Sequence, residues 1–237
     1  MSNPILICAN RRDIAPRVVA VGDPERAKQL ASLLKEAKIV SNTRGYLTYT
    51  GLYRGERITV ATHGIGMPSA AIVFEELRML GARSIVRLGT AGAMTKNLSR
   101  GDFLIPTGAA HSNGSLREYA QDGILPPVPD FRLTSRLMEG CKLSKSKSIS
   151  GLVYSTDVFY SEDHNFVKNW TSRGIVGVDM ECATLFTLGS IKGFKSAALL
   201  IISDNLVSRV EKEMFGHEQL RIAVGKAGKI VLDALSA

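Results

Sequence analysis

The feature that most constrains this chain is an alternation. Short apolar runs, each ending in glycine or a polar cluster, are separated by stretches with helical spacing. Arg17–Val21 reads as a strand that ends at Gly22. A helix is expected after it, with Pro24 at the first position, where a missing N–H costs nothing. Ile58–Thr62 reads as a second strand, closed by His63-Gly64-Ile65-Gly66. From Pro68 onward, Ala70, Val73, Phe74, Leu77 and Leu80 recur on one helical face, and Gly81 supplies a stop. Ser84–Leu88 predicts a strand stopped by Gly89. Phe103–Ile105, Gly151–Tyr154 and Ile175–Val178 predict three more, and Glu181–Leu188 a helix. Ser196–Ile202 is the apolar run of a strand buried on both faces. A last helix carries Leu220, Val224, Ala227, Val231 and Ala234. Strands alternating with helices predict a three-layer α/β fold, a central mixed β-sheet flanked by helices. No repeat, low-complexity tract or Pro/Gly/Ser-rich linker divides the chain, so residues 1–237 read as one domain.

Several function classes are excluded at this level. Hydrophobic residues make up 45% of 237, enough for a sizeable core, but no run approaches the roughly 18 apolar residues of a membrane span. Near the N-terminus the apolar stretch is brief and Arg11-Arg12 follow it, the reverse of a signal peptide. A cytoplasmic location is expected. Cys8, Cys141 and Cys182 are odd in number and widely spaced, which predicts reduced thiols, neither a zinc set nor a disulfide framework. The net charge of +8 raises the question of nucleic acid, yet the cations are scattered. Their densest stretch, Lys142, Lys145 and Lys147 among serines, has no interleaved aromatics and reads as a solvated turn. A basic balance also suits an enzyme with an anionic substrate such as phosphate. His63, His111, His164 and His217 lack any ligand spacing, so no metal is expected. There is no Walker pattern, no GxGxxG and no GxSxG.

Ligands in α/β folds gather at the carboxyl ends of strands. Four of the expected strand ends carry polar or glycine-rich clusters. Gly22 permits close backbone approach, and Arg26 lies about one helical turn further on. Together they make either an anion seat or a helix-start turn with a surface arginine. Arg87 ends an apolar strand, where a guanidinium is costly unless paired; Thr90 and the backbone around Gly89 would complete an oxyanion cradle. Glu181 either caps a helix or accepts hydrogen bonds from a diol, with Met180 packed on the sugar. Asp204 either caps the following turn or, raised in pKa by low dielectric, acts as a general acid.

Taken together these clusters resemble the hexameric nucleoside phosphorylase family. The resemblance covers nearly the whole chain. It is carried by Val21-Gly22-Asp23-Pro24-Glu25-Arg26-Ala27, Asn42-Thr43-Arg44-Gly45-Tyr46, Thr62-His63-Gly64-Ile65-Gly66-Met67-Pro68-Ser69 and Arg87-Leu88-Gly89-Thr90-Ala91-Gly92-Ala93. Ser155-Thr156-Asp157-Val158-Phe159-Tyr160, Asp179-Met180-Glu181-Cys182-Ala183-Thr184 and Ser203-Asp204 follow in the same order. The resemblance implies that Gly22, Arg26, Arg87 and Thr90 bind phosphate, and that Arg44 reaches the phosphate site of a neighbouring subunit. Met180 and Glu181 would hold the ribose, Phe159 and Ser203 would flank the base, and Asp204 would protonate N7 of a purine. It also implies a homohexamer built from dimers with shared sites, inorganic phosphate as co-substrate, and no cofactor.

Pyrimidine-specific members read uracil with a glutamine and an arginine shortly after the Phe-Tyr pair. The segment Phe159–Asn165 has neither, and Asp204 is the purine-type residue. Where the family supplies a histidine for the ribose 5′-hydroxyl, the ungapped count falls on Leu6, which would favour a 5′-methylthio group. The expected activity is therefore phosphorolysis of 5′-methylthioadenosine, adenosine, inosine or guanosine. The alternatives are uridine phosphorolysis, a phosphate-independent nucleosidase, and a nucleoside-binding protein without turnover. Arg221 or His217 is a weaker candidate to assist Asp204.

Overall fold

The structure is a computed structural model that describes residues 3–112, 114–121, 123–208 and 215–237. Its strands are β1 (Arg17–Val21), β2 (Lys35–Ser41), β3 (Thr48–Tyr53), β4 (Glu56–Thr62), β5 (Ser84–Ala93), β6 (Phe103–His111), β7 (Ser148–Ser155), β8 (Ile175–Asp179) and β9 (Lys195–Asn205). The helices are α1 (Pro24–Ala31), α2 (Met67–Met79), α3 (Gly114–Tyr119), α4 (Phe131–Leu143), α5 (Phe166–Thr171), α6 (Cys182–Lys192) and α7 (His217–Ser236). None of them is long and apolar enough to cross a membrane.

One mixed sheet runs in the order β2-β3-β4-β1-β5-β8-β7-β6-β9, and β9 returns to pair with β5 along its whole length. Strands β5, β8, β7, β6 and β9 thus close into a ring, while β1, β4, β3 and β2 extend from it as an open wing. Alternate residues of each central strand feed opposite faces, as the two-residue period requires. Val18, Ala20, Leu200 and Ile202 pack with Phe74 and Leu77 of α2 and with Leu185 and Phe186 of α6. Val19, Val21, Leu199 and Ile201 pack with Leu30 of α1, Leu137 of α4 and Val231 of α7. Helices therefore lie on both faces of the sheet, as the alternation predicts.

Some elements differ from the sequence reading. β5 does not stop at Gly89; it continues to Ala93 because β9 and then β8 supply partners for it. The β2–β3 hairpin and α3, α4 and α5 carried no clear signal. β2 is an edge strand with charged, mostly exposed residues, and α3 and α5 have six residues each. α4 buries only the narrow stripe of Leu133, Thr134, Leu137 and Cys141. The lysine-rich stretch is the end of α4 and a turn, with Lys147 paired to Asp102 at 2.8 Å. All three cysteines are free; Cys141 and Cys182 are buried and Cys8 is exposed.

The N-terminal segment is held by one carboxylate. Glu76 on α2 accepts from the backbone N–H of Ile5 (2.7 Å), Leu6 (3.0 Å) and Ile7 (2.7 Å). Leu6 is 4% exposed and packs in the core beside α2. The expectation that Leu6 faces a 5′-methylthio group is therefore corrected: its side chain is committed to its own core. We expect Glu76→Ala, which leaves those N–H groups without their acceptor, to lower stability by roughly 2–4 kcal/mol. Urea unfolding measures this, and an unchanged midpoint would mean that apolar packing alone holds the segment.

Candidate active site

The site lies where the sheet splits. β1 and β5 run parallel as partners as far as Ala20–Arg87, and β8 joins β5 antiparallel at Gly92–Val178. Between these pairings one edge of β5, over Leu88–Ala91, has no strand beside it among the described residues. The carboxyl ends of β1, β4 and β8 bring Gly22, His63–Gly66 and Asp179–Glu181 to this gap, the position where parallel strands leave room for a ligand.

Arg87 is the centre of the gap. It is 4% exposed, and its Nη2 donates to Glu181 Oε2 in a short contact, with Asp179 Oδ2 at 3.4 Å. Nη1 lies 3.4 Å from His63 Nε2, and Nε has no acceptor among the described residues. Burial opposes the charge, but Glu181 and then Asp179 outweigh it and hold Arg87 above the ordinary arginine range. Burial pushes the Glu181 carboxyl up, against the pull of Arg87. The guanidinium lies back over Gly89, where any Cβ would overlap it, so the glycine is needed for packing as well as for backbone approach.

Both open questions about helix or turn capping resolve in the same way, through a neighbour. Asp179 Oδ2 accepts from the N–H groups of Glu181 (3.1 Å) and Cys182 (2.9 Å), so Asp179 caps α6. Its Oδ1 accepts from Ser155 Oγ at 2.6 Å. Glu181 makes no capping bond and instead accepts from Gly66 N–H at 2.7 Å and from Arg87. At the end of β9, Asn205 Oδ1 accepts from Val207 N–H (2.9 Å) and Ser208 N–H (3.0 Å), which frees Asp204 from that task.

Asp204 stands at a bulge. Ala91 pairs with Ile202 but Gly92 pairs with Asp204, so Ser203 is the extra residue that re-aims the strand. Ser203 Oγ donates to Asp204 Oδ1 at 2.7 Å, and a Cβ on Gly92 would come within 3.4 Å of the Asp204 carboxylate. Asp204 is half-buried. Gly89, under the Arg87 guanidinium, and Gly92, against Asp204, are three residues apart, roughly 10 Å along the strand.

Of the other expected residues, Arg26 and Gly22 lie at the Arg87 end. Arg26, on the first turn of α1, is largely buried and sits 3.8 Å from Asp23; burial draws its pKa down, and the charges of Asp23, Arg87 and Glu181 all reach it. Gly22 is pressed by the β4–α2 loop, since a Cβ there would be 3.1 Å from Gly64 O. Thr90 is half-buried, and its hydroxyl makes no protein hydrogen bond among the described residues. Met180 is half-buried between Asp179 and Glu181. Phe159 is 62% exposed, edge-on to Tyr160 at 5.0 Å. Arg44 is exposed in a left-handed conformation (φ 52°), and among the described residues no carboxylate pairs with it. The structure does not join it to Arg87. Arg221 is forked onto Glu218 (2.8 and 2.9 Å) and makes no bond to Asp204.

Three participants were missed in the sequence: Asp179 as the cap and second partner of Arg87, Gly66 as the donor to Glu181, and buried His63. Their signals were present as the glycines after β4 and the acid two residues before Glu181, but partnership across elements has no spacing rule. Among the described residues no group of three His, Cys, Asp or Glu side chains is placed to hold a metal. A separate cleft of about 760 Å³, lined by Arg11, Arg78, Arg83 and Lys195, opens at the other ends of β5 and β9. Arg78 there donates to Lys192 O at 3.0 Å at the C-terminus of α6, so it complements a helix end.

The family model described as the phosphorylase superfamily matches residues 16–236. A guanosine phosphorylase of Halorubrum lacusprofundi is 31% identical over 229 residues, 95% of each chain. A DeoD-type purine nucleoside phosphorylase of Shewanella oneidensis is 32% identical over 97% of this chain and 100% of its own. A uridine phosphorylase of Thermococcus kodakarensis is 32% identical, covering 93% and 84%. The crystal structure of uridine phosphorylase from Vibrio fischeri ES114 superposes with a TM-score of 0.89 at 27% identity, over 100% of this chain and 98% of that one. The chain therefore belongs to the phosphorylase superfamily, as an enzyme of the nucleoside phosphorylase family.

Proposed function

We propose that the chain is a purine nucleoside phosphorylase that splits adenosine, inosine, guanosine or 5′-methylthioadenosine with inorganic phosphate. The observation that carries this reading is the pairing of an anion seat at Arg87 on β5 with a separate carboxylate, Asp204, which β9 presents against Gly92 further along that strand. Phosphate binds to Arg26, Arg87, Thr90 and the backbone at Gly22. Glu181 accepts from the ribose hydroxyls through its remaining lone pairs, and Met180 packs on the sugar. Phe159 and Ser203 flank the base.

As the bond from C1′ to N9 lengthens, positive charge develops on the sugar and negative charge on the base. Phosphate, fixed by the arginines, stabilises the cation and bonds to C1′. Asp204 gives a proton to N7, so the purine leaves neutral. Both contributions grow toward the transition state and therefore act on kcat. Leu6, inside its own core, supplies no contact to a 5′-methylthio group.

Uridine phosphorolysis is the second reading, favoured by the likeness to the Thermococcus kodakarensis and Vibrio fischeri enzymes. The purine reading rests on Asp204 and on the absence of Gln and Arg from Phe159–Asn165. We further propose a cytoplasmic homohexamer of dimers in which Arg44 completes the partner's phosphate site.

Base release from the four purine nucleosides and uridine, each with and without phosphate, tests the assignment. We expect phosphate-dependent release from purines; release from uridine alone would replace it with the pyrimidine reading. Asp204→Asn should lower kcat by about 10²-fold or more with little change in thermal midpoint, and wild-type turnover would remove Asp204 from the reaction. Co-expressed Arg44→Ala and Asp204→Asn subunits should recover more activity than either alone, because mixed dimers regain one intact site. No recovery would mean that sites are not shared.

A further inference from the structure

His63 is a fully buried polar group to which the reaction above gives no task. It follows β4 and is fixed from several sides. Its N–H donates to Val21 O (2.7 Å), its carbonyl accepts from Ser69 Oγ (2.7 Å), and its ring leans on Phe74 at 5.5 Å. A Cβ on Gly22 would be 3.6 Å from its Cε1, so the ring lies directly beneath the backbone at the end of β1. On its other side, Nε2 lies 3.4 Å from Arg87 Nη1.

The chemistry at this contact has one consistent form. Burial and then the adjacent Arg87 keep the imidazole neutral. A guanidinium nitrogen can only donate, so Nε2 must present its lone pair and the proton resides on Nδ1, which has no acceptor among the described residues. Arg87 Nη2 is already shared between Glu181 and Asp179. With both carboxylates at that end, nothing among the described residues except His63 accepts from Nη1.

We propose that His63 is a positioning residue: its imidazole holds the Nη1 end of Arg87, so that the guanidinium keeps its remaining donors turned to phosphate instead of collapsing onto Glu181 and Asp179. This rests on the phosphorylase reading. The ring itself touches no reactant. It tethers Arg87 to the β1–α1 turn that carries Gly22 and Arg26, and so sets the spacing between the parts of the phosphate seat.

The test compares His63→Gln, whose amide oxygen can replace Nε2 as acceptor, with His63→Met, which keeps bulk but accepts poorly. Steady-state kinetics are run with phosphate varied and the best purine nucleoside saturating, and nucleoside affinity is measured separately without phosphate. His63→Met should raise the phosphate KM about tenfold or more, the loss expected for one hydrogen bond to a charged group. Its nucleoside affinity should stay within about threefold of wild type. His63→Gln should return the phosphate KM to within about threefold. Equal phosphate KM in the two variants, or a parallel loss of nucleoside affinity, would overturn the proposal. Should His63→Met fail to fold, His63→Asn, whose shorter amide falls away from Nη1, takes its place against His63→Gln with the same outcomes. Wild-type base release that ignores phosphate would overturn the phosphorylase reading together with the role of His63.

Discussion

A guanidinium inside an apolar strand is the constraint around which the rest of this molecule is arranged. Arg87 sits on β5, between the two helical layers, where an unpaired charge is untenable. Its partners are drawn from another strand and the helix that follows it, Asp179 from β8 and Glu181 from the start of α6. Each partner needs support in turn. Asp179 is held by the first N–H groups of α6 and by Ser155 of β7, and Glu181 by Gly66 at the start of α2. Three strands and two helices thus converge on one side chain. Removing that side chain would strand two buried carboxylates, a change that costs about 3–5 kcal/mol in comparable pairs.

The same arrangement explains why the sheet splits. β1 must end before Gly22 so that the turn into α1 can lie over the β4–α2 loop, and Gly22 tolerates that approach only without a side chain. β8 approaches β5 from the opposite direction and meets it only at Gly92 and Ala93. The edge of β5 left free between them coincides with the residues over which Arg87 folds. Fold and site are therefore one solution to one problem, the accommodation of charge at the centre of a mixed sheet.

Much of this was legible in the sequence because it is written in local terms. Apolar period and glycine stops located most of the central strands and the main helices of both layers, and the polar clusters at strand ends located Gly22, Arg26, Arg87, Glu181 and Asp204. What was not legible depends on pairing between distant elements. The end of β5 was set five residues early, since Gly89 reads as a stop until β9 is seen to pair across it. Leu6 was placed by counting along the chain, but its position is decided by Glu76, 70 residues away. Asp179 was visible beside Glu181, yet which acid caps and which faces Arg87 and Gly66 depends on where Gly66 points.

The bulge at Ser203 makes the position of Asp204 a matter of counting. A strand with a two-residue period offers its side chains in strict alternation, and the extra residue shifts that alternation by one step. Slipping the same sequence by a single residue would present Ser203 or Asn205 against Gly92 instead of a carboxylate, with almost no change to the buried run before it. The identity of the group set against Gly92 is thus decoupled from the core that supports it. A lineage could exchange that group by gaining or losing one residue between Ile202 and Asn205, leaving the ladder with β5 and the arginine at its other end in place.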